Sequence, residues 1–204
     1  MLRHFIALLF TILIVLPVQA GTTILALGDS LTAGYGLEAG HAMPDVLQSA
    51  LRKDGKDITI INAGVSGDTA AQAAARLDWS LTPGVKAIIL ELGANDALRG
   101  LPPQGADKAL REIMDKAKAK NLPVLILGMK APPNLGIDYQ TKFDAIYPKL
   151  AADYGAALYP FYLEGVAADP TLNQADAMHP NDAGLAIIVQ HLEPVVASFV
   201  SKLP

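Results

Sequence analysis

The feature that most constrains the fold is a repeated alternation of short apolar runs with longer segments of helical character. The strand candidates are Thr22–Leu27, Ile58–Ala63, Ala87–Leu92, Leu122–Met129 and Ala157–Tyr159. The helix candidates are Met43–Lys53, Thr69–Leu77, Asp107–Lys120, Tyr139–Tyr154 and a last one from Pro180 to about Val200. Parallel strands are buried on both sides and therefore read as nearly continuous apolar runs. The pattern predicts an α/β/α sandwich, with a five-stranded, mainly parallel sheet covered by helices on both faces.

Composition limits the classes of protein to which this chain can belong. At 204 residues, with 51% hydrophobic and 18% charged residues, it predicts one globular domain, and no repeat or linker marks a second. The formal net charge is −4 and no Lys/Arg run stands out, so we expect no nucleic-acid partner. The absence of cysteine excludes disulfides, thiolate metal sites and a cysteine nucleophile.

The first twenty residues have the pattern of an export signal. Arg3 precedes an apolar stretch over 5–18, and a small-x-small cleavage pattern ends at Ala20. We expect a signal peptide at 1–20 and a mature domain at 21–204. Cleavage would remove Arg3 and no acidic residue, so the mature domain would have a net charge of −5. The expected location is periplasmic or secreted, without stable membrane insertion. A retained anchor is the alternative, although the stretch is shorter than the roughly 20 residues that span a bilayer.

Small and polar clusters follow the first three predicted strands directly. They are Gly28-Asp29-Ser30, Gly64-Val65-Ser66-Gly67-Asp68 and Gly93-Ala94-Asn95-Asp96. In a parallel sheet all three emerge at the carboxyl edge, where open α/β sheets bind their ligands. Each cluster alone could also be an ordinary turn or helix cap, because those use the same residue types. Their convergence predicts a site.

A fourth cluster, Asp176 to Pro180, lies near the C-terminus. Pro180 disfavours helical backbone at His179 and so predicts a loop there. Of the three histidines after the leader, only His179 has a carboxylate three residues upstream. His191 lies within the last helix, as a surface or core-edge residue, and His41 lies in a loop near the cleft, where it could contact substrate. Asp-x-x-His could also supply two metal ligands, but nothing completes such a site, so we expect no metal.

Together, these clusters contain the side chains of a hydrolytic triad. Ser30 supplies a hydroxyl nucleophile, His179 a base and Asp176 an acid to hold the base. Ser66 is a rival nucleophile, although its surroundings lack the Gly-x-Ser-x-Gly spacing of a strained elbow.

The same loops offer donors to the negative oxygen of a tetrahedral intermediate. Candidates for this oxyanion hole are the backbone N–H groups of Ser30 and Gly67 and the side-chain amide of Asn95.

The ordered set of motifs resembles the four blocks of the SGNH (GDSL) hydrolases. The blocks are Gly28-Asp29-Ser30-Leu31, Gly67 in a Gly-Asp-Thr context, Gly93-x-Asn95-Asp96 and Asp176-x-x-His179-Pro180. More narrowly, the chain is similar to the TesA-type branch of exported esterases, thioesterases, lysophospholipases and arylesterases. Ala94 and Ala177 depart from that branch, which often has Gly at both positions.

The resemblance implies a flavodoxin-like fold and a serine hydrolase without a cofactor, acting on short-to-medium acyl or aryl esters, thioesters and lysophospholipids. It assigns Ser30 as nucleophile, His179 as general base and then acid, and Asp176 as its orienting partner. Ser30 N–H, Gly67 N–H and Asn95 Nδ2 would form the oxyanion hole. We expect a monomer with a small-molecule substrate. A carbohydrate O-deacetylase of the same fold, or an inactive periplasmic binding module, is the alternative.

Two segments, Ala97–Pro103 and Lys130–Ile137, follow the third and fourth predicted strands and should flank the site. Apolar side chains in them predict walls for an acyl chain or aromatic ring, namely Leu98, Leu101, Pro132 and Leu135. The alternative is that both segments are simple connections. A nucleotide-binding module would share this architecture, but the chain lacks both the P-loop and the Gly-x-Gly-x-x-Gly pattern.

Overall fold

The computed structural model describes residues 21–203, so the predicted leader at 1–20 lies outside the described residues. The strands are β1 (Thr22–Gly28), β2 (Ile58–Gly64), β3 (Val85–Glu91), β4 (Val124–Leu127) and β5 (Ala157–Tyr159). The helices are α1 (Ser30–Ala33), α2 (Met43–Lys53), α3 (Ala70–Ser80), α4 (Ala94–Leu98), α5 (Pro103–Ala119), α6 (Ile137–Asp144), α7 (Ile146–Tyr154) and α8 (Asp182–Val200). A short 3₁₀ turn spans Pro133–Leu135.

The five strands form one parallel sheet in the order β2-β1-β3-β4-β5. This order is flavodoxin-like, and it confirms the predicted fold class. The last residue of β1, Gly28, pairs with Gly64 of β2 on one side and with Glu91 of β3 on the other. Because the three strands end level with one another, the loops that follow them meet at one edge, as the sequence predicted.

Helices cover both faces of the sheet. The first face carries α2 and α8, which pack against each other, and the second carries α3, α5 and α7. By length and composition α8 is apolar enough to cross a membrane, but Leu185, Ile188, Leu192 and Val196 on it are buried in the core at helical spacing. A helix that covers a sheet needs such an apolar stripe.

The predicted helix over Tyr139–Tyr154 is two helices, α6 and α7, that meet at Ala145. Pro148 accounts for the break, because a proline ring collides with the carbonyl four residues earlier, here that of Asp144. The predicted strand over Leu122–Met129 is also shorter. The N–H of Leu122 donates to Ala117 O at 2.9 Å, which draws that residue toward the end of α5 instead of into the sheet.

Candidate active site

The turn between β1 and α1 places Ser30 at the carboxyl edge of the sheet. Gly28 permits this turn, because a Cβ at that position would lie 2.0 Å from Thr32 Oγ1 and 2.8 Å from the carbonyl oxygen of Glu91. Asp29 then caps α1, since its Oδ1 accepts a hydrogen bond from the N–H of Leu31 at 3.0 Å. The Ser30 side chain is therefore presented from the first turn of a short helix that is fixed at its N-terminus.

Ser30, His179 and Asp176 form one hydrogen-bonded chain. Nε2 of His179 lies 2.8 Å from Ser30 Oγ, although the two residues are 149 positions apart in sequence. Nδ1 of the same ring lies 2.6 Å from Asp176 Oδ2. The histidine thus has one ring nitrogen facing the hydroxyl and the other facing the carboxylate. This arrangement allows an imidazole to accept a hydroxyl proton while a carboxylate fixes its tautomer.

Asp176 is held as a carboxylate by the loop that contains it. Its Oδ1 accepts hydrogen bonds from the backbone N–H groups of His179 and Met178, each at 3.0 Å. These two bonds, from His179 first and Met178 second, lower the pKa of Asp176 to about 2. The group therefore stays ionised throughout the neutral and mildly acidic range, where it can accept a hydrogen bond from the imidazole.

Packing from a second loop holds the His179 ring in place. The ring of Tyr35 lies 4.6 Å from it between centroids, on the loop that follows α1. Gln174 joins the two loops, because its Nε2 donates to the carbonyl oxygens of Tyr35 at 2.7 Å and Pro180 at 3.0 Å. Tyr35 was not among the sequence candidates, since an aromatic residue in a Gly-rich loop has no pattern that distinguishes it.

The predicted oxyanion donors lie beside Ser30. Gly67 lines the same cavity and has a φ of +88°, a left-handed conformation that favours glycine. Its carbonyl oxygen accepts a 2.6 Å hydrogen bond from Arg99 Nη2, which fixes the orientation of the loop. Asn95 Nδ2 donates to Asp29 Oδ2 and to Asp68 O, both at 3.1 Å. The amide is thus pre-oriented, and a substrate oxygen would have to share or replace one of these acceptors.

Two acidic residues are buried behind the site. Glu91 Oε2 accepts hydrogen bonds from Thr32 Oγ1 at 2.7 Å and from the N–H of Asp29 at 3.4 Å. Burial, followed by the nearby Asp29 charge, raises the pKa of Glu91 well above its ordinary value. Burial also raises the pKa of Asp29, to about 6. Because two neighbouring carboxylates disfavour each other's charge, we infer that Glu91 is the one that keeps its proton.

Glu91→Gln is expected to flatten the pH dependence of stability. The pKa of Glu91 is raised by folding, so the folded chain binds a proton that the unfolded chain has lost above pH 4.5, and stability falls as the pH rises. Glutamine removes this proton uptake. In urea unfolding at pH 5, 6 and 7, the free energy of unfolding of the variant should rise relative to that of the wild type by up to about 1.4 kcal/mol per pH unit. Parallel profiles for the two proteins would show that Glu91 is ionised in the fold.

Ser30 and His179 open onto a cavity of about 540 Å³. Two of the predicted wall residues, Leu98 and Pro132, line it. The other two, Leu101 and Leu135, are not among the lining residues, which corrects the sequence prediction. The chain near Leu101 folds back, because its N–H donates to Asp96 O at 2.9 Å, and Leu135 lies on the 3₁₀ turn. Lining side chains that the sequence did not indicate are Tyr35, Met129, Phe161, Leu163 and Met178.

The remaining candidates lie apart from the hydrogen-bonded chain. His41 does not line the cavity; its Nδ1 lies 2.8 Å from Asp182 Oδ1 at the start of α8, and both side chains are exposed. His191 is exposed on α8, in agreement with its predicted surface position. Ser66 lines the cavity, but among the described residues its hydroxyl makes no hydrogen bond to a histidine. Within 21–203 no three or more His, Asp or Glu side chains group as a metal site would require.

Comparison with known proteins identifies the family of this chain. The model of the GDSL-like Lipase/Acylhydrolase family matches residues 26–187, which include all four loop clusters. The chain belongs to this family. It is 36% identical over 201 residues to "Thioesterase 1/protease 1/lysophospholipase L1" of Escherichia coli (strain K12), covering 98% of this chain and 91% of that protein. It is 38% identical over 186 residues to "Esterase TesA" of Pseudomonas aeruginosa, covering 90% and 92%.

A solved member of the family shares the fold. The crystal structure of AlinE4, an SGNH-hydrolase family esterase, superposes with a TM-score of 0.75 at 47% identity, over 87% of this chain and 96% of that one. Family membership confirms the predicted resemblance and the predicted enzyme class, a carboxylic ester hydrolase. The single-domain fold with a five-stranded parallel sheet matches those of solved members of the family, among them TesA with a TM-score of 0.81.

Ala177 sits in a left-handed conformation with φ of +58°. A Cβ is disfavoured there, so Ala177→Gly is expected to raise the free energy of unfolding by about 1 kcal/mol, less the entropy that glycine adds to the unfolded chain. Urea unfolding would measure it. The matched control is Ala175→Gly, an exposed loop alanine without positive φ, which should gain nothing. A less stable Ala177→Gly variant would contradict the expected strain.

Proposed function

We propose that this protein is a serine hydrolase that cleaves carboxylic esters and thioesters through an acyl-enzyme intermediate. The observation that carries the proposal is the chain of contacts from Ser30 Oγ through His179, at 2.8 Å, to Asp176, at 2.6 Å. Distances in this range allow direct proton transfer between the hydroxyl and the imidazole. The chain ends in a carboxylate that the loop keeps ionised.

The reaction has two halves. In the first, His179 Nε2 removes the Ser30 proton as Oγ attacks the ester carbonyl carbon, and the carbonyl oxygen becomes negative. The imidazolium, stabilised by Asp176, then donates that proton to the departing alcohol or thiol. In the second half, water gives its proton to His179 and attacks the acyl-enzyme, and the carboxylic acid leaves as Ser30 recovers its proton.

Three donors would stabilise the negative oxygen. They are the N–H groups of Ser30 and Gly67 and the amide of Asn95. Arg99 already holds the Gly67 loop, and Asp29 and Asp68 orient the Asn95 amide, so the oxygen has to share or replace only one acceptor of that amide when the charge develops. Such preorganised donors contribute more in a partly dehydrated cleft than in water.

The cavity supports acyl or aryl esters as substrates. Its lining is mostly apolar, with Leu98, Met129, Pro132, Phe161 and Leu163 on its walls. A volume of about 540 Å³ suits a short-to-medium acyl chain or an aromatic ring rather than an acetyl group alone. Relatives named as thioesterase, lysophospholipase and arylesterase support this range of leaving groups.

A chain-length series tests the proposed substrate class. We expect kcat/KM for p-nitrophenyl esters to rise from acetate to butyrate or hexanoate, and acyl-CoAs of the same lengths to be cleaved, because each added methylene buries apolar area worth about 0.8 kcal/mol. Activity confined to acetyl esters would indicate a carbohydrate O-deacetylase instead. No hydrolysis of any ester would indicate a binding module.

A further inference from the structure

The cavity wall carries one charged side chain besides the titratable His179. Among the lining residues that the structure describes, Lys130 is the only lysine or arginine, and none is an aspartate or glutamate. Its Nζ lies 4.7 Å from the centroid of the Phe161 ring, which lines the same cavity. A positive charge is therefore positioned over an aromatic face, within a mostly apolar wall.

Lys130 also differs from the cations that serve the fold. Arg76 pairs with Asp68, Arg111 with Asp107 and Asp153, and Lys116 with Asp78 and Glu112. Within residues 21–203, Lys130 forms no salt bridge, because no carboxylate oxygen lies within 4.0 Å of its Nζ.

The acids nearest to the reacting groups are already engaged elsewhere. Asp176 accepts from His179, Asp29 accepts from Asn95, and Asp68 pairs with Arg76. None of the three lines the cavity. In a chain with net charge −4, this cleft thus presents to its ligand a lysine that no salt bridge engages.

The contact with Phe161 also matters for binding. Lys130 is exposed, so its attraction to the Phe161 ring is modest, but a cation held over a ring face still loses less side-chain freedom when a ligand arrives. An apolar cavity with one fixed cation complements an apolar acyl group whose molecule also carries a negative charge.

We propose that Lys130, positioned by Phe161, forms a subsite for an anionic group, a phosphate or a carboxylate, carried by the ester substrate. The inference rests on the proposed function and narrows its substrate class to anionic acyl esters and thioesters. The subsite would contribute to binding rather than to the chemical step, because Lys130 is not part of the hydrogen-bonded chain at Ser30.

Matched substrate pairs test this subsite. Butyryl-4′-phosphopantetheine and butyryl-pantetheine share one thioester and differ only in the phosphate of the leaving group. Mono-p-nitrophenyl succinate and p-nitrophenyl butyrate place or omit a carboxylate on the acyl side. For at least one pair, Lys130→Met is expected to lower the anionic-to-neutral ratio of kcat/KM about tenfold, mainly through KM, and Lys130→Arg should preserve the ratio. The pair that responds identifies the source of the anion.

Lys118→Met is the control, because it removes the same charge from the far end of α5, where Lys118 is exposed. It should leave both ratios unchanged. Unchanged ratios in Lys130→Met, or an equal loss on the charged and neutral members of both pairs, would overturn the subsite. A failure of the proposed function would give a different result, because Ser30→Ala would then still hydrolyse the neutral esters.

Discussion

Ser30→Ala is expected to lower kcat/KM for p-nitrophenyl butyrate by a factor of about 10⁴ or more. The variant removes Ser30 Oγ, which lies 2.8 Å from His179 Nε2, so the nucleophile is lost and no acyl-enzyme can form. The donors for the carbonyl oxygen would remain, which is why a residual rate above that of water is expected. The measurement is the steady-state initial rate of the variant, compared with that of the wild type at the same pH.

The matched control is Ser66→Ala. Ser66 lines the same cavity and loses the same hydroxyl, but its side chain is not bonded to His179. Its rate should stay within about tenfold of wild type, since loss of a hydroxyl outside the reaction removes at most one hydrogen bond. A large loss in Ser66→Ala together with a small loss in Ser30→Ala would transfer the nucleophile to the second loop.

His179→Ala is expected to cause a loss of similar size. Without the imidazole, the Ser30 proton has no acceptor and the leaving group has no donor, so both halves of the reaction slow together. The rate losses from residues that act as one unit do not add. The Ser30→Ala, His179→Ala double variant should therefore be only slightly slower than either single variant. The test compares kcat/KM of the two single variants with that of the double variant.

Two other histidines serve as controls for this result. His191→Ala changes an exposed residue on α8, and His41→Ala removes an exposed contact with Asp182. Both should retain hydrolysis. A strictly additive double variant, or an equal loss in His191→Ala, would contradict the role of His179 as the partner of Ser30.

Much of this site could be predicted from sequence because parallel strands impose it. Once the alternation of strands and helices is identified, Ser30, Gly67 and Asn95 must emerge at one edge, since their loops follow β1, β2 and β3. His179 could be selected because Pro180 fixes its loop and Asp176 precedes it at the right spacing. These arguments use backbone direction and local turns, which sequence encodes directly.

The cavity walls could not be predicted equally well. Whether Leu98 or Leu101 faces the substrate depends on where α4 ends and how the next loop folds back, through contacts distant in sequence. Tyr35 and Phe161 were missed for the same reason: each contacts its partner, His179 or Lys130, across a different loop. The division between α6 and α7, in contrast, could have been read from Pro148.

The most direct test is to label the enzyme with a fluorophosphonate and locate the modified residue by mass spectrometry. An activated serine attacks the phosphorus and remains covalently bonded to it, so we expect one label per chain, on the peptide that contains Ser30. Labelling should be lost in His179→Ala and unchanged in His191→Ala. A label on Ser66, or no label on an enzyme that still hydrolyses esters, would contradict the assignment of Ser30 as the nucleophile.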